Sequence, residues 1–180
     1  MITDTFNPHF RSGGKKMPNP EKNYQLVLAQ EEALRFDHFD YQDAWKLGTL
    51  LAEKALARKL PVAVEIVLNG YLVFRYGCPG SNISNDIWLQ RKVNTVTMMQ
   101  VSTLHTYYMP LVGQDDICRD WHLEPAAYAT LGGGFPIIVK GTGLVGVAAV
   151  SGLPHHHDHD LVIDAISEFL QIEVERVLED

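Results

Sequence analysis

Residues 62–76 run Val-Ala-Val-Glu-Ile-Val-Leu, Asn-Gly, Tyr-Leu-Val-Phe-Arg-Tyr, and their reading decides the fold class. Two runs rich in β-branched and aromatic side chains flank Asn69-Gly70, the pair that best tolerates the positive φ angles of a type I′ turn. The stretch is therefore predicted to fold as a hairpin. Regular pairing across it puts Val64, Ile66, Leu68, Tyr71 and Val73 on one face and Ala63, Val67, Leu72, Phe74 and Tyr76 on the other. Both faces are apolar, so the sheet needs cover on both sides, from helices or from another subunit. In this register Glu65 stands opposite Phe74. It either reaches a wet end of the sheet or finds a cationic partner or a ligand, because a lone buried carboxylate is costly.

Helices are predicted on either side of the hairpin. A helical pattern starts at Asn23 with Leu26, Leu28, Ala29 and Ala33. A second helix has Asp40 as N-cap and a stripe of Ala44, Leu47, Leu51 and Ala55, closed by Pro61. Beyond the turn at Gly77–Gly80, Leu89, Val93 and Val96 mark a third helix, with Trp88 near its start and Arg91-Lys92 off the stripe. Leu104 to Val112 is predicted as a strand, residues 114–124 as a loop, and Pro125 to Tyr128 as a short helix. A second hairpin follows Gly132-Gly133-Gly134, and a final helix is predicted from Asp158 to Leu178. The order is α-β-β-α-β-β-β-α, an α/β (α+β) sandwich around an antiparallel sheet. Residues 1–22, with three prolines and little apolar periodicity, read as a mobile arm, and residues 23–180 as one domain.

Composition narrows the function classes. At 180 residues the chain suits one domain with a core large enough to dispense with disulfides. A formal net charge of −7 argues against nucleic acid or an anionic membrane surface as the main partner. The longest apolar stretch, Leu144 to Val150, is far too short to span a bilayer, and no secretory signal is visible. Cys78 and Cys118 have no metal-site spacing and read as free thiols in a reducing cytoplasm.

Several residues are candidates for chemistry. Gly132, Gly133 and Gly134 either offer backbone N–H groups to an anion or let the next strand pack closely. Arg91 is suited to a carboxylate or phosphate, whether Glu65 or a ligand, although a helical Arg-Lys pair commonly sits in solvent. Of eight histidines, His155, His156, His157 and His159 fall within five residues. With an earlier helix start His155 and His159 would stand one turn apart, and with Asp158 could hold a divalent metal. With Asp158 as N-cap, His155 to His157 are instead an exposed loop that captures metals adventitiously. Ser151-Gly152 lacks a nucleophile elbow, and neither cysteine lies in a catalytic motif.

Three blocks carry a resemblance. Asn85-Asp86-Ile87-Trp88-Leu89-Gln90-Arg91-Lys92, then Gly132-Gly133-Gly134-Phe135-Pro136-Ile137, then Ser151-Gly152-Leu153 ahead of Asp158-His159-Asp160-Leu161, resemble a stand-alone branch (uncharacterised protein family 0303) of the GlcG/HbpS-like haem-degrading-domain superfamily. The resemblance runs from about Phe39 to Ile172. It implies a profilin-like sandwich with a five-stranded antiparallel sheet, assembly into homo-oligomers, and relatives that bind haem or cobalamin-related tetrapyrroles. Iron-contacting residues of haem-binding relatives are not evident at matching positions, and of the histidine cluster only Asp158-His159 matches. The resulting expectation is a cytoplasmic, oligomeric domain binding haem or another anionic tetrapyrrole. Its ligand would lie near the glycine loop and Arg91, with Glu65 and His159 contributing. An adaptor that recruits proteins, or an enzyme of unassigned chemistry, are the alternatives.

Overall fold

The computed structural model describes residues 19–177. The elements are α1 (Pro20–Ala33), α2 (Tyr41–Ala57), β1 (Ala63–Leu68), β2 (Tyr71–Gly77), α3 (Ile83–Met99), α4 (Thr103–Tyr108), a 3-10 turn (Met109–Val112), β3 (Gly134–Val139), β4 (Gly143–Ser151) and α5 (His155–Leu170). The strands form one antiparallel sheet in the order β2-β1-β4-β3. The arm expected over residues 1–22 lies outside the described residues as far as 18. From Pro20 the chain is already helical, and Asn19 caps α1 by accepting the Lys22 N–H.

Four strands are present where five were expected, because Leu104 to Val112 is helical. Ser102 accepts the His105 N–H at 3.1 Å and so caps α4. Leu104 and Tyr108, one turn apart, then pack with Tyr24 and Val27 of α1. Pro110, which has no N–H to give a sheet, sits in the 3-10 turn. The helix expected after Pro125 is only a turn. The last helix begins at His155 rather than Asp158 and ends at Leu170, where Gln171 takes the left-handed conformation; Val177 returns to the α1–α4 cluster.

The hairpin forms with a changed register. Leu68 pairs with Tyr71 and Val67 with Leu72, but a bulge at Val73 then pairs Ile66 with Phe74 and Glu65 with Arg75. Val64, Ile66 and Phe74, with Ala148 and Val150 of β4, consequently face α2 and α5. Ala63, Val147 and Ala149 face Leu89, Val93 and Val96 of α3. Each face of the sheet is covered, and Glu65 and Arg75 share the α3 side. The outer edge of β3 is partly occupied by Phe36, whose N–H donates to the Ile138 carbonyl and whose carbonyl accepts from Lys140. The outer edge of β2 has no partner strand among the described residues.

The helical assignment of α4 has a measurable consequence. Leu104→Ala, at a fully buried position, should cost roughly 2–5 kcal/mol in urea unfolding. Leu111→Ala, at an exposed position on the following turn, should change stability by less than about 0.5 kcal/mol.

Candidate functional site

Asn85, Leu89, Lys92 and Val96 recur at helical spacing along the buried stripe of α3. Lys92 thus enters the apolar interior, where its Nζ donates to Asp158 Oδ2 at 2.9 Å and to the Val150 carbonyl at 2.7 Å. Both side chains are only 3% exposed. Asp158 also accepts the Leu153 N–H at 2.9 Å. Burial pulls the Lys92 ammonium below the ordinary lysine value, opposed by the carboxylate beside it. Burial likewise pushes the Asp158 carboxyl up, opposed first by Lys92 and then by the backbone donors. Asp158 is therefore not the N-cap of α5 but a carboxylate one turn inside it.

The glycine loop is built against this pair. Gly133 has φ +117°, and a Cβ there would lie 2.6 Å from both Lys92 Nζ and the Val150 oxygen. The Gly134 N–H donates to Thr103 Oγ1 at 3.0 Å, and the Gly132 N–H to His155 Nδ1 at 3.3 Å. Those two N–H groups are thus taken up within the protein rather than offered to an anion. The glycines serve close packing.

Beside the pair opens a cleft of about 420 Å³ between the first half of α3, Leu131 and the β4–α5 loop. Trp88, Leu131, Leu153 and Pro154 give it an apolar wall, while Ser84, Ser151 and His155 line it with Lys92 and Asp158. The Asn85 amide donates to the Ser151 carbonyl at 3.0 Å and accepts the Asn82 N–H at 2.8 Å. Ser151 lies at the end of β4 on the side facing α3 and is 4% exposed.

The remaining expected site residues lie elsewhere. Glu65 accepts from Arg75 at 2.6 Å, and Arg75 also bonds Asp86, so the cationic partner is on the neighbouring strand. Burial raises the Glu65 pKa, and Arg75 opposes the rise. Arg91 does not reach Glu65; it donates to the Pro125 carbonyl at 2.7 Å and stacks 4.0 Å over the Trp88 ring, holding the 125–128 turn against α3.

His159 is sealed in the core, 0% exposed, with Nε2 2.9 Å from Gln30 Oε1. Since the Gln30 amide nitrogen donates to the Glu175 carbonyl, Oε1 is the acceptor and His159 Nε2 carries the hydrogen. His159 Nδ1 is left without a partner. Burial depresses its pKa to about 3. His155 and His156, expected to be exposed, are half-buried against Tyr107; only His157 of those three is exposed. No group of three His, Cys, Asp or Glu side chains is placed to hold a metal among the described residues.

The six expected residues therefore fall in three places: the glycines and His159 around the buried pair, Glu65 under β2, and Arg91 on the outer side of α3. The sequence reading weighs Lys92 only beside Arg91 and Ser151 only as a nucleophile, and it places neither of them, nor Asn85 or Trp88, in the ligand site. For Lys92 a signal existed, because it falls three residues after Leu89 and four before Val96 on the same stripe.

Residues 39–167 match the model of a family described as haem-degrading protein HbpS-like. A UPF0303 protein of Pseudomonas entomophila is 40% identical over 145 residues, covering 81% of this chain and 81% of that protein. One from Sinorhizobium medicae is 39% identical over 152 residues, covering 84% and 93%. Among solved structures, that of the Ybr137w protein superposes with a TM-score of 0.75 at 25% identity, over 84% of this chain and 94% of that one. A PduOC:heme complex superposes with a TM-score of 0.62 at 23% identity, over 77% and 97%, a likeness of fold.

Two outcomes follow from the buried groups. Lys92→Met leaves Asp158 buried without its counter-charge and should lose roughly 3–5 kcal/mol in urea unfolding. Adding Asp158→Leu should restore most of that loss; failure of the double variant to recover would contradict the pairing. His159 gives a pH dependence. Below its ordinary value of 6.5 the unfolded imidazole binds a proton that the native one refuses down to about 3. Stability is therefore full above 6.5 and lost as pH falls through that window, by up to about 1.4 kcal/mol per pH unit. His159→Leu should flatten that slope in unfolding curves measured between these limits.

Proposed function

This chain belongs to the HbpS-like family of haem-degrading proteins, and on that premise we propose that it is a cytoplasmic, homo-oligomeric binding domain for an anionic small molecule. The leading ligand class is the tetrapyrroles, which the family's description and the haem complex of the same fold suggest. The observation that carries the reading is the cleft beside Lys92. One wall is apolar and includes the half-exposed Trp88 ring, and the other presents hydroxyl and ammonium donors. Such a lining suits a planar, largely apolar body bearing acidic groups.

The residues fit the acidic ring better than they fit its iron. His155 Nδ1 accepts the Gly132 N–H, so its hydrogen is on Nε2. The Tyr108 hydroxyl accepts from Asn23 and shares a hydrogen bond of 2.8 Å with His156 Nε2. His159 is fully buried. Neither His155 Nδ1 nor the sealed His159 offers a free lone pair to the cleft, and the proposal routes no step through the metal. Haem held here would be anchored by its propionates and ring, with the buried pair keeping the glycine loop and α5 in place around it.

The self-association part of the proposal rests on the β2 side of the molecule. Tyr41 and Trp45 of α2 and Tyr71, Leu72 and Tyr76 of β2 are exposed, and the outer edge of β2 has no partner strand among the described residues. Exposed apolar side chains beside an unpaired strand edge are what an assembling protein presents. The same patch is the feature that favours the adaptor reading, in which the partner is a different protein.

Titration with haemin and, separately, metal-free protoporphyrin IX tests the ligand assignment. Both should give saturable changes in the absorption spectrum with affinities of the same order, because anchoring does not use the iron. Absence of saturable binding by either sinks the tetrapyrrole assignment. Sedimentation velocity tests the assembly: the parent chain should run as an oligomer and a Trp45→Glu, Tyr76→Glu variant as a monomer.

A further inference from the structure

Lysine is almost never buried without a partner, and a desolvated lysine beside a cleft has the setting of an amine nucleophile. Of the six lysines among the described residues, Lys22, Lys46, Lys59 and Lys140 are exposed, Lys54 is half-buried, and Lys92 alone is buried. Lys92 nevertheless lines the cleft of about 420 Å³, together with Asp158, Ser84 and Ser151. Its Nζ spends two of the three donor positions of an ammonium, on Asp158 Oδ2 at 2.9 Å and on the Val150 carbonyl at 2.7 Å. The third position has no partner among the described residues.

Asp158 is placed to exchange a proton with that nitrogen. The Leu153 N–H donates to its Oδ1 at 2.9 Å and the Gly152 N–H to its Oδ2 at 3.4 Å, so the carboxylate is held in one orientation against Nζ. Burial is the largest influence on both partners, drawing the lysine pKa down and pushing the aspartate pKa up. Both directions lead to the same uncharged pair, an amine beside a carboxylic acid. The amine then has the lone pair that an ammonium lacks, and the acid holds the proton that a departing hydroxyl needs.

We propose that Lys92 is an amine nucleophile that condenses with an aldehyde or ketone in the cleft, with Asp158 as its proton shuttle. This activity goes beyond the binding function: it uses the same cleft but does not depend on a tetrapyrrole occupying it. The ammonium first passes a proton to Asp158. The amine lone pair forms the C–N bond, the carbonyl π electrons move to oxygen, and Asp158 protonates that oxygen while taking a proton from the nitrogen. Asp158 then gives this proton to the carbinolamine hydroxyl, the C–O bond breaks, and water leaves as the nitrogen lone pair closes the C=N bond. One ammonium and one carbonyl become one iminium and one water, with the Asp158 carboxylate left beside the cationic nitrogen and nothing oxidised or reduced. The wall of Trp88, Leu131, Leu153 and Pro154 selects a carbonyl carried on an apolar body, such as an aromatic aldehyde.

The test is reductive trapping of the folded full chain with benzaldehyde and sodium cyanoborohydride at neutral pH, the benzylation of each lysine being followed over time by peptide mass spectrometry. Hydride from the cyanoborohydride fixes an iminium as a stable secondary amine. A lysine buried only for packing is protected and reacts more slowly than the exposed Lys22, Lys46, Lys59 and Lys140. The expected result is the reverse, with Lys92 labelled faster than all four, by roughly a hundredfold, the low end of what a positioned acid–base group supplies. Labelling of Lys92 at the rate of the exposed lysines or below overturns the proposal. Leu131→Trp fills the cleft at a lining position outside the pair, so it should abolish the lead of Lys92 and leave the exposed lysines unchanged. A lead that survives in this variant overturns the cleft as the place where the carbonyl binds. Labelling of Lys92 without saturable tetrapyrrole binding removes the tetrapyrrole assignment and leaves the amine chemistry standing. Tetrapyrrole binding with Lys92 protected removes the chemistry and leaves the binding function.

Discussion

The Lys92 ammonium lies where α3, β4, the glycine loop and α5 meet, and the surroundings of the cleft follow from satisfying it. Removing a lysine and an aspartate from water costs several kcal/mol per ion, which their mutual attraction offsets only when further hydrogen bonds complete the geometry. Here the Val150 carbonyl completes the ammonium and the Leu153 N–H completes the carboxylate. Those two bonds fix the end of β4 and the start of α5 relative to α3. The lysine leaves no room for a side chain at residue 133, so the loop before β3 must be glycine at that point. A pair of this kind adds little net stability over a well-packed apolar substitute. What it contributes is placement: one contact decides how four elements approach.

Placement explains why the histidine cluster forms no metal-holding group among the described residues despite its spacing. With α5 starting at His155, His155 and His159 do stand one turn apart, but each is committed differently. His155 accepts from the glycine loop and packs on Tyr107, and His159 passes under the loop to Gln30 of α1. The helix that would bring two imidazoles together for a metal instead uses them to fasten the glycine loop and α1 to the core. His156 does the same for α4 through Tyr108.

The sequence was most legible where local chemistry acts alone. Asn69-Gly70 specified its turn, Asp40 its cap, and the stripe from Ala44 to Ala55 the buried face of α2. Legibility failed where distant residues decide. The bulge at Val73 lets Phe74 reach α2 and Arg75 reach Glu65, a preference absent from the local alternation of apolar residues. Leu104 to Val112 is apolar enough for a strand, and becomes a helix because Ser102 caps it and α1 covers it. The start of α5 was misplaced because Asp158 has the residue type of a cap while its actual partner, Lys92, is sixty-six positions away. The same distance conceals the site: adjacent helical residues point about 100° apart, so Arg91 and Lys92 cannot both face the core, and nothing local says that Lys92 is the one that does.

That angular separation is how the segment Asn85 to Lys92 serves several places at once. Asp86 meets Arg75 on the sheet, Arg91 holds the 125–128 turn and stacks on Trp88, and Lys92 enters the core. The Asn85 side-chain amide fastens the end of β4 by donating to the Ser151 main-chain carbonyl. Each polar group on the segment except the Trp88 indole is thereby directed away from the cleft or neutralised within it. The consequence for recognition is physical. With Arg91 facing outward and Lys92 paired with Asp158, the cleft carries no uncompensated positive charge, so the proposed acidic ligand would be held by directed hydrogen bonds and by contact with Trp88. Such a site discriminates by the geometry of the acceptor more than by net charge, and depends on salt less than a cluster of surface lysines would.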